Sequence, residues 1–383
     1  MRKTTLVTIL FCLSLFGRDF RSFEKEVLSS ALELKIEALR QEMESIKTTL
    51  PLYDKPIELE LFASEYKERI YEAGGSVGIK IPILLNEKEL RAIATARHKR
   101  GRLLVRYAKA KFLKQLELLY TDYVYTAKKE KIAMQNVALA QKLLHLVQQR
   151  YKAKATTKKD LLRSQAVVLE AKKEVLQVRR DRKRARMALQ SFAQKDIDCT
   201  PKFLYDTFDE KKSIGTLPFR ILELAIKEAT YRKRNVSKKL RRIDFMLEYE
   251  KEPDQEIYRA GVAIPFVNDE MVREQKRLAI MQERVLKLKL SKNRYKLFTQ
   301  LETLKQNAKL LQAEIEESRA LLSQEREALR LIVKSYELQA ATITELLQAR
   351  QSLLKAQHAL LQSRYELQKR IIHIRFIQGE YDD

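Results

Sequence analysis

The chain has 383 residues, of which 76 are Lys or Arg and 51 are Asp or Glu, giving a formal net charge of +25. With 45% hydrophobic residues it holds enough apolar surface to bury a large core, which excludes a disordered tail protein. Beyond the extreme N-terminus no run approaches the ~20 apolar residues of a membrane-crossing helix, which excludes a polytopic helical membrane protein.

Residues 1–17 read as a signal peptide. Arg2 and Lys3 precede the apolar run Leu6–Phe16, and Gly17 then gives way to Arg18 and Asp19. Cys12 lies inside that run, so the remaining chain keeps only Cys199. One cysteine and four scattered histidines (His98, His145, His358 and His373) point to no disulfide, no metal site and no cofactor. Neither a Gly-rich phosphate loop nor a nucleophile beside a base is present, so no enzymatic site is expected.

Gly and Pro, the usual punctuation of turns, number only 8 and 7 and are clustered. Pro is absent from Ile83 to Thr200 and after Pro265, and Gly is absent from Arg102 to Ile214 and from Val262 to Gln378. Such stretches, rich in Ala, Leu, Glu, Lys, Arg and Gln, predict very long helices. In chain order the expected elements are a helix over Phe23–Leu50 that ends at Pro51, and strands over Ile57–Phe62 and Ser76–Ile83. A long helix from about Leu84 to Arg150, a turn, and a shorter return helix after Asp160 follow. Residues 201–216 read as a linker. The pattern then recurs: a helix over Leu217–Arg241, strands over Ile243–Tyr249 and Ile257–Phe266, a long helix over Val267–Tyr336, and a return after Glu345.

That recurrence is a duplication of one unit, residues 18–200 and then 217–383. Gly78-Ile-Lys-Ile-Pro82 is matched by Gly261-Val-Ala-Ile-Pro265. Arg150-Tyr-Lys-Ala-Lys-Ala-Thr-Thr-Lys-Lys-Asp160-Leu-Leu is matched by Ser335-Tyr-Glu-Leu-Gln-Ala-Ala-Thr-Ile-Thr-Glu345-Leu-Leu. Each long limb spans roughly 100 Å at 1.5 Å per residue, and each return limb roughly 50 Å. Heptads in the return limbs carry two adjacent apolar positions (Leu161, Val168, Val175 beside Leu162, Leu169, Leu176; Leu346, Leu353, Leu360, Leu367 beside Leu347, Leu354, Leu361). That width suits helices packed on both sides, as in a closed cylinder, although an ordinary antiparallel coiled coil forms from such heptads as well.

The strands alternate. One face collects Ile57, Leu59, Leu61, Val77, Ile79, Ile81, Phe245, Leu247, Val262 and Ile264, and the other Glu58, Glu60, Asp244 and Glu248. Apolar outside with acids inside is the pattern of an outer-membrane barrel, whose lumen those four acids would line. A small soluble sheet packed on a helix is the other outcome. Four strands alone leave raw edges, and three copies would supply twelve.

The duplicated Gly-x-x-x-Pro junction and the duplicated tip motif resemble those of the TolC-like outer membrane factors, the exit ducts of tripartite efflux pumps and type I secretion systems. The resemblance covers essentially the whole chain after residue 17. It implies a mainly α protein with a small β part, forming as a homotrimer a twelve-stranded outer-membrane barrel continued by a periplasmic α-helical barrel. It also implies outer-membrane lipid around the strands, a periplasmic adaptor and an inner-membrane transporter as partners, and a gate at the helical tips. On that resemblance Tyr336 can bond Asp160 to hold the entrance shut, although Asp160 is also a candidate N-cap. Arg150, Tyr151, Glu345 and Gln348 complete the tip, and Ala341 stands where a closing Arg is sometimes found. Lys152, Lys154, Lys158, Lys159 and Gln339 are the candidates for adaptor docking, with Lys154 and Gln339 in the places of the family's tip glycines.

The positive charge raises nucleic acid as a partner, but the basic residues are interleaved with acids along helices, as in Arg179–Arg186, and no nucleic-acid motif accompanies them. No nucleic-acid partner is expected. A periplasmic coiled-coil scaffold without a pore is the alternative to the duct.

Overall fold

The computed structural model describes residues 19–53, 57–65, 73–252, 255–265 and 268–382; the expected signal peptide, Phe266 and Val267 lie outside them. The elements are α1 (Phe20–Ser30), α2 (Leu32–Tyr53), β1 (Glu58–Glu65), β2 (Ala73–Leu84), α3 (Glu87–Lys152), α4 (Lys158–Ala193), α5 (Leu217–Ser237), β3 (Arg242–Lys251), β4 (Glu256–Ala263), α6 (Asp269–Glu337) and α7 (Ile343–Ile377). The long helices α3 and α6 have 66 and 69 residues, and the returns α4 and α7 have 36 and 35.

Two expectations at the N-terminal side are corrected. The helix expected over Phe23–Leu50 is two helices, broken at Ala31. The break follows Ser29 and Ser30, whose hydroxyls donate to the carbonyls of Glu26 (2.7 and 3.1 Å) and compete with the helical ladder. Pro51 does not end the second helix, which continues to Tyr53. In the second repeat, α5 stops at Ser237 rather than Arg241, and the last four residues turn the chain into β3.

The described residues fall into two compact units, each drawing on both sequence repeats: one of residues up to Leu32, Lys109–Gly215 and Leu297–Asp383, the other of Glu33–Ala108 and Thr216–Lys296. The second unit carries the sheet, an antiparallel meander in the order β1-β2-β3-β4. Register places Leu59, Ile79 and Leu247 in one row and Ile81, Phe245 and Val262 in another, all on one face. On the opposite face, Glu58 pairs with Lys80 at 2.9 Å, Arg259 reaches Glu248 (3.5 Å) and Glu250 (2.6 Å), and Arg242 bonds Asp244. Glu60 sits across Gly78 from Glu248 on that same polar face. The apolar face is bare: Ile57, Leu59, Leu61, Val77, Ile79, Ile81, Phe245, Leu247, Val262 and Ile264 are all exposed. Among the described residues, β1 and β4 each have no strand on their outer edge.

In the first unit the core follows a seven-residue repeat. Leu301, Ala308, Ile315, Leu322, Leu329 and Tyr336 of α6 are all buried, packed against α7 through Leu346, Leu353, Leu367 and Ile371. The two apolar stripes of α4 have separate fates: Val168 and Val175 are buried, whereas Leu162, Leu169 and Leu176 are exposed. Helices α2 and α6 of the second unit also present bare seams, Leu39, Met43, Ile46 and Leu50 on one, Leu278, Met281, Val285 and Leu288 on the other.

Candidate functional site at the helical tips

The turns α3–α4 and α6–α7 lie in the first unit and are built alike. At the first, Ala155 N–H donates to the carbonyl of Arg150 (2.8 Å) and Lys154 N–H to that of Tyr151 (2.9 Å). At the second, Ala340 donates to Ser335 (2.8 Å) and Gln339 to Tyr336 (3.1 Å). This pair of bonds closes a helix when the intervening residue is left-handed, a position that glycine usually fills. Here Lys154 (φ 58°) and Gln339 (φ 66°) adopt it despite their side chains. The returns then start with a capping box: Thr157 and Thr342 accept from the backbones of Asp160 (3.2 Å) and Glu345 (3.3 Å), and those two carboxylates reach back to the threonines' own N–H groups. Asp160 is therefore the third helical residue, and the N-cap is Thr157. Bonds from Thr157 and Thr156 hold the Asp160 carboxyl below its ordinary pKa, and Thr342 does the same for Glu345.

Within the chain Tyr336 and Asp160 do not bond. The Asp160 carboxylate is taken by Thr156 (3.1 Å) and Thr157 (2.8 Å), and the buried Tyr336 hydroxyl has no partner among the described residues. Tyr336 instead meets Arg150. The guanidinium lies 4.2 Å from the ring centroid, donates to the Tyr336 carbonyl at 3.0 Å and to the Ala155 carbonyl at 3.4 Å. One arginine thus ties the end of α3 to the end of α6, and Arg163 adds a second tie to Thr344 at 3.3 Å. Tyr151, Lys152, Lys154, Lys158, Lys159, Gln339 and Gln348 are exposed around these contacts.

A polar chain crosses the helices above the tips, and no sequence motif announces it. Arg350 donates to Asn136 (2.6 Å), Asn136 to Glu174 (3.1 Å), and His358 lies 3.5 Å from the other Glu174 oxygen. A second cluster gathers around Glu117, which is fully buried and accepts from Tyr205 (2.5 Å) and Tyr381. Burial raises its pKa, against those two hydrogen bonds and the charge of Arg375. The residues are far apart in sequence, so spacing gave no signal for either group.

Long paired helices with capped tips and a four-stranded sheet with one bare face are thus the features of the described residues. No protein-family model matches the sequence, and no curated protein matches it. Among solved structures, the chain is similar to the outer membrane protein VceC of Vibrio cholerae (TM-score 0.80, 13% identity, 94% of this chain and 95% of that one). It is similar to the outer-membrane channel OprN (TM-score 0.80, 14% identity, 95% and 90%) and to the open state of the Neisseria gonorrhoeae channel MtrE (TM-score 0.74, 14% identity, 94% and 88%). The resemblance to the TolC-like outer membrane factors is one of the whole fold.

Proposed function

We propose that the chain is the outer-membrane exit duct of a tripartite efflux pump or type I secretion system, acting as a homotrimer that passively conducts substrate received from an inner-membrane transporter through a periplasmic adaptor. The observation that carries this reading is the sheet. Its apolar face is bare, its opposite face is charged, and among the described residues both edges are open. Lipid satisfies such a face, and only closure into a ring satisfies such edges. Strands of 8 to 12 residues suit a tilted crossing of a bilayer. No described helix is long and apolar enough to cross a membrane, so the membrane-embedded part in this reading is the strands.

The bare seams of α2 and α6 support several copies. Each has the three- and four-residue spacing of a coiled-coil seam, and they are different surfaces of one chain, so seam-to-seam contact is head-to-tail, the kind of interface that builds a ring when its rotation closes. Three copies of four strands make twelve, with Glu58, Glu60, Asp244 and Glu248 towards the lumen. At the tips, Arg150 clasping Tyr336 keeps the two turns of a chain together and the entrance narrow, and the exposed lysines meet an acidic adaptor.

The test is to fractionate membranes of cells making the protein, extract it in detergent and measure mass and single-channel conductance. An outer-membrane trimer that conducts in planar bilayers is expected. A soluble, non-conducting rod would leave the scaffold in its place. Arg150→Ala is expected to raise conductance and leak, with no loss of trimer.

A further inference from the structure

An open cleft of about 770 Å³ lies within the first unit, between the linker at Phe203–Thr207, α6 at Gln312–Arg319 and α7 at Arg364–Gln368. It plays no part in the tip contacts or the sheet. Its walls combine aromatic and aliphatic surface (Phe203, Ile315 and Leu367) with donors that lack acceptors.

Gln368 is the sharpest of these. The residue is 1% exposed, and its Oε1 accepts from the Tyr205 N–H at 3.1 Å. A backbone N–H can only donate, so the amide oxygen must face it, and the Nε2 group is left holding two hydrogens without a partner. A buried donor in that condition is costly and calls for an acceptor.

The charges point the same way. Arg364 lines the cleft and has no carboxylate partner among the described residues. Lys128, whose ammonium lies 5.3 Å from the Phe203 ring centroid, has none either. Burial lowers the Lys128 pKa, and the neighbouring positive charges of Arg364 and Lys131 lower it further. Two carboxylates, Asp206 and Glu316, also line the cleft, but Glu316 is already bound to Arg319. The two arginines and two carboxylates of the wall balance, so what it offers is unpaired donors, Arg364 and the Gln368 amide, beside an apolar surface, with the Lys128 ammonium adding one positive charge behind the Phe203 ring.

We propose that this cleft binds an organic anion, a carboxylate or sulfonate carried on an apolar body of aromatic size. The acidic group sits between Arg364 and the Gln368 amide, and the body lies against Phe203 and Leu367. All of these groups come from one chain, so the site is independent of the duct reading and survives its failure.

The experiment is calorimetric titration of the whole purified protein in detergent with 1-naphthalenesulfonate, against the neutral 1-naphthalenemethanol, with micelle blanks. One site per chain is expected, with the neutral compound at least tenfold weaker and affinity falling as salt rises. Arg364→Gln and Gln368→Met are each expected to weaken binding about tenfold, the worth of a hydrogen bond to a charged group. Arg330→Gln, at an exposed arginine paired with Glu327, is expected to change nothing. Absence of saturable binding, equal affinity for the neutral compound, or an equal loss in Arg330→Gln would overturn the proposal. So would unchanged binding in Arg364→Gln, a half-buried position whose replacement leaves the core intact and so keeps the test valid if Gln368→Met misfolds.

Discussion

At the scale of the residue, the tips show how much backbone geometry outlasts the side chain that suits it. Lys154 and Gln339 stand in left-handed conformations in which a Cβ is unfavourable by about 1–2 kcal/mol, while glycine's extra freedom in the unfolded chain offsets part of that. Lys154→Gly and Gln339→Gly should each stabilise the protein by up to about 1 kcal/mol, read as a higher melting temperature. The Glu117 cluster gives the opposite sign. Tyr381→Phe removes a hydroxyl that donates to a fully buried carboxyl, and should destabilise by about 1–3 kcal/mol. His373 contributes a pH dependence. Burial, with Lys114, Arg370 and Lys369 nearby, brings its pKa down to about 4. The unfolded chain takes that proton near 6.5, so between the two values the unfolded state binds more protons and stability falls as the pH is lowered. The loss reaches roughly 2–3 kcal/mol per chain once the pH is at or below about 4. His373→Asn should flatten the fall in melting temperature between pH 7.5 and 4.5; an unchanged slope would remove His373 from the account.

At the scale of the element, the seams decide assembly. In the duct reading, the bare stripe Leu39, Met43, Ile46 and Leu50 of α2 lies against a neighbouring copy, so Met43→Glu places a charge in that contact. Since Met43 is exposed in the chain, the monomer fold should be kept, shown by unchanged circular dichroism, while the detergent-extracted species drops to a monomer. Much at this scale was legible in the sequence. Missing Gly and Pro gave the long helices within a few residues, strict alternation gave four strands and their faces, and the repeat gave the paired tips. What escaped was set by local competition or by distance. Hydroxyl bonds from Ser29 and Ser30 break the first helix, and Pro51 sits too near the helix end to stop it early. Glu117 meets Tyr205 and Tyr381, and Arg150 meets Tyr336, only once the chain has folded back on itself. Nor does sequence spacing reveal that the Tyr336 hydroxyl ends buried, because that follows from its place as the last member of the heptad begun at Leu301.

At the scale of the whole molecule, the duct and the scaffold make different demands on the same sheet, and adjacent residues of β3 separate them. Leu247 is exposed on the apolar face between Ile79 and Ala260, while its neighbour Glu248 faces the other way, opposite Arg259. If the apolar face meets lipid, Leu247→Lys places a charge in hydrocarbon at a cost of about 2–4 kcal/mol near the bilayer midplane in each copy, multiplied around the ring. Outer-membrane assembly should then fall sharply, seen as less heat-resistant trimer in the membrane fraction. Glu248→Lys changes charge by two units per copy on the face turned to water. It should leave assembly in place and shift the ion selectivity of the channel towards anions, read as a change in reversal potential across a salt gradient. A soluble sheet gives the reverse ranking. There Leu247→Lys improves an exposed surface, and Glu248→Lys loses an ion pair of the protein. The relative damage from two neighbouring substitutions therefore tells which solvent the bare face was built for.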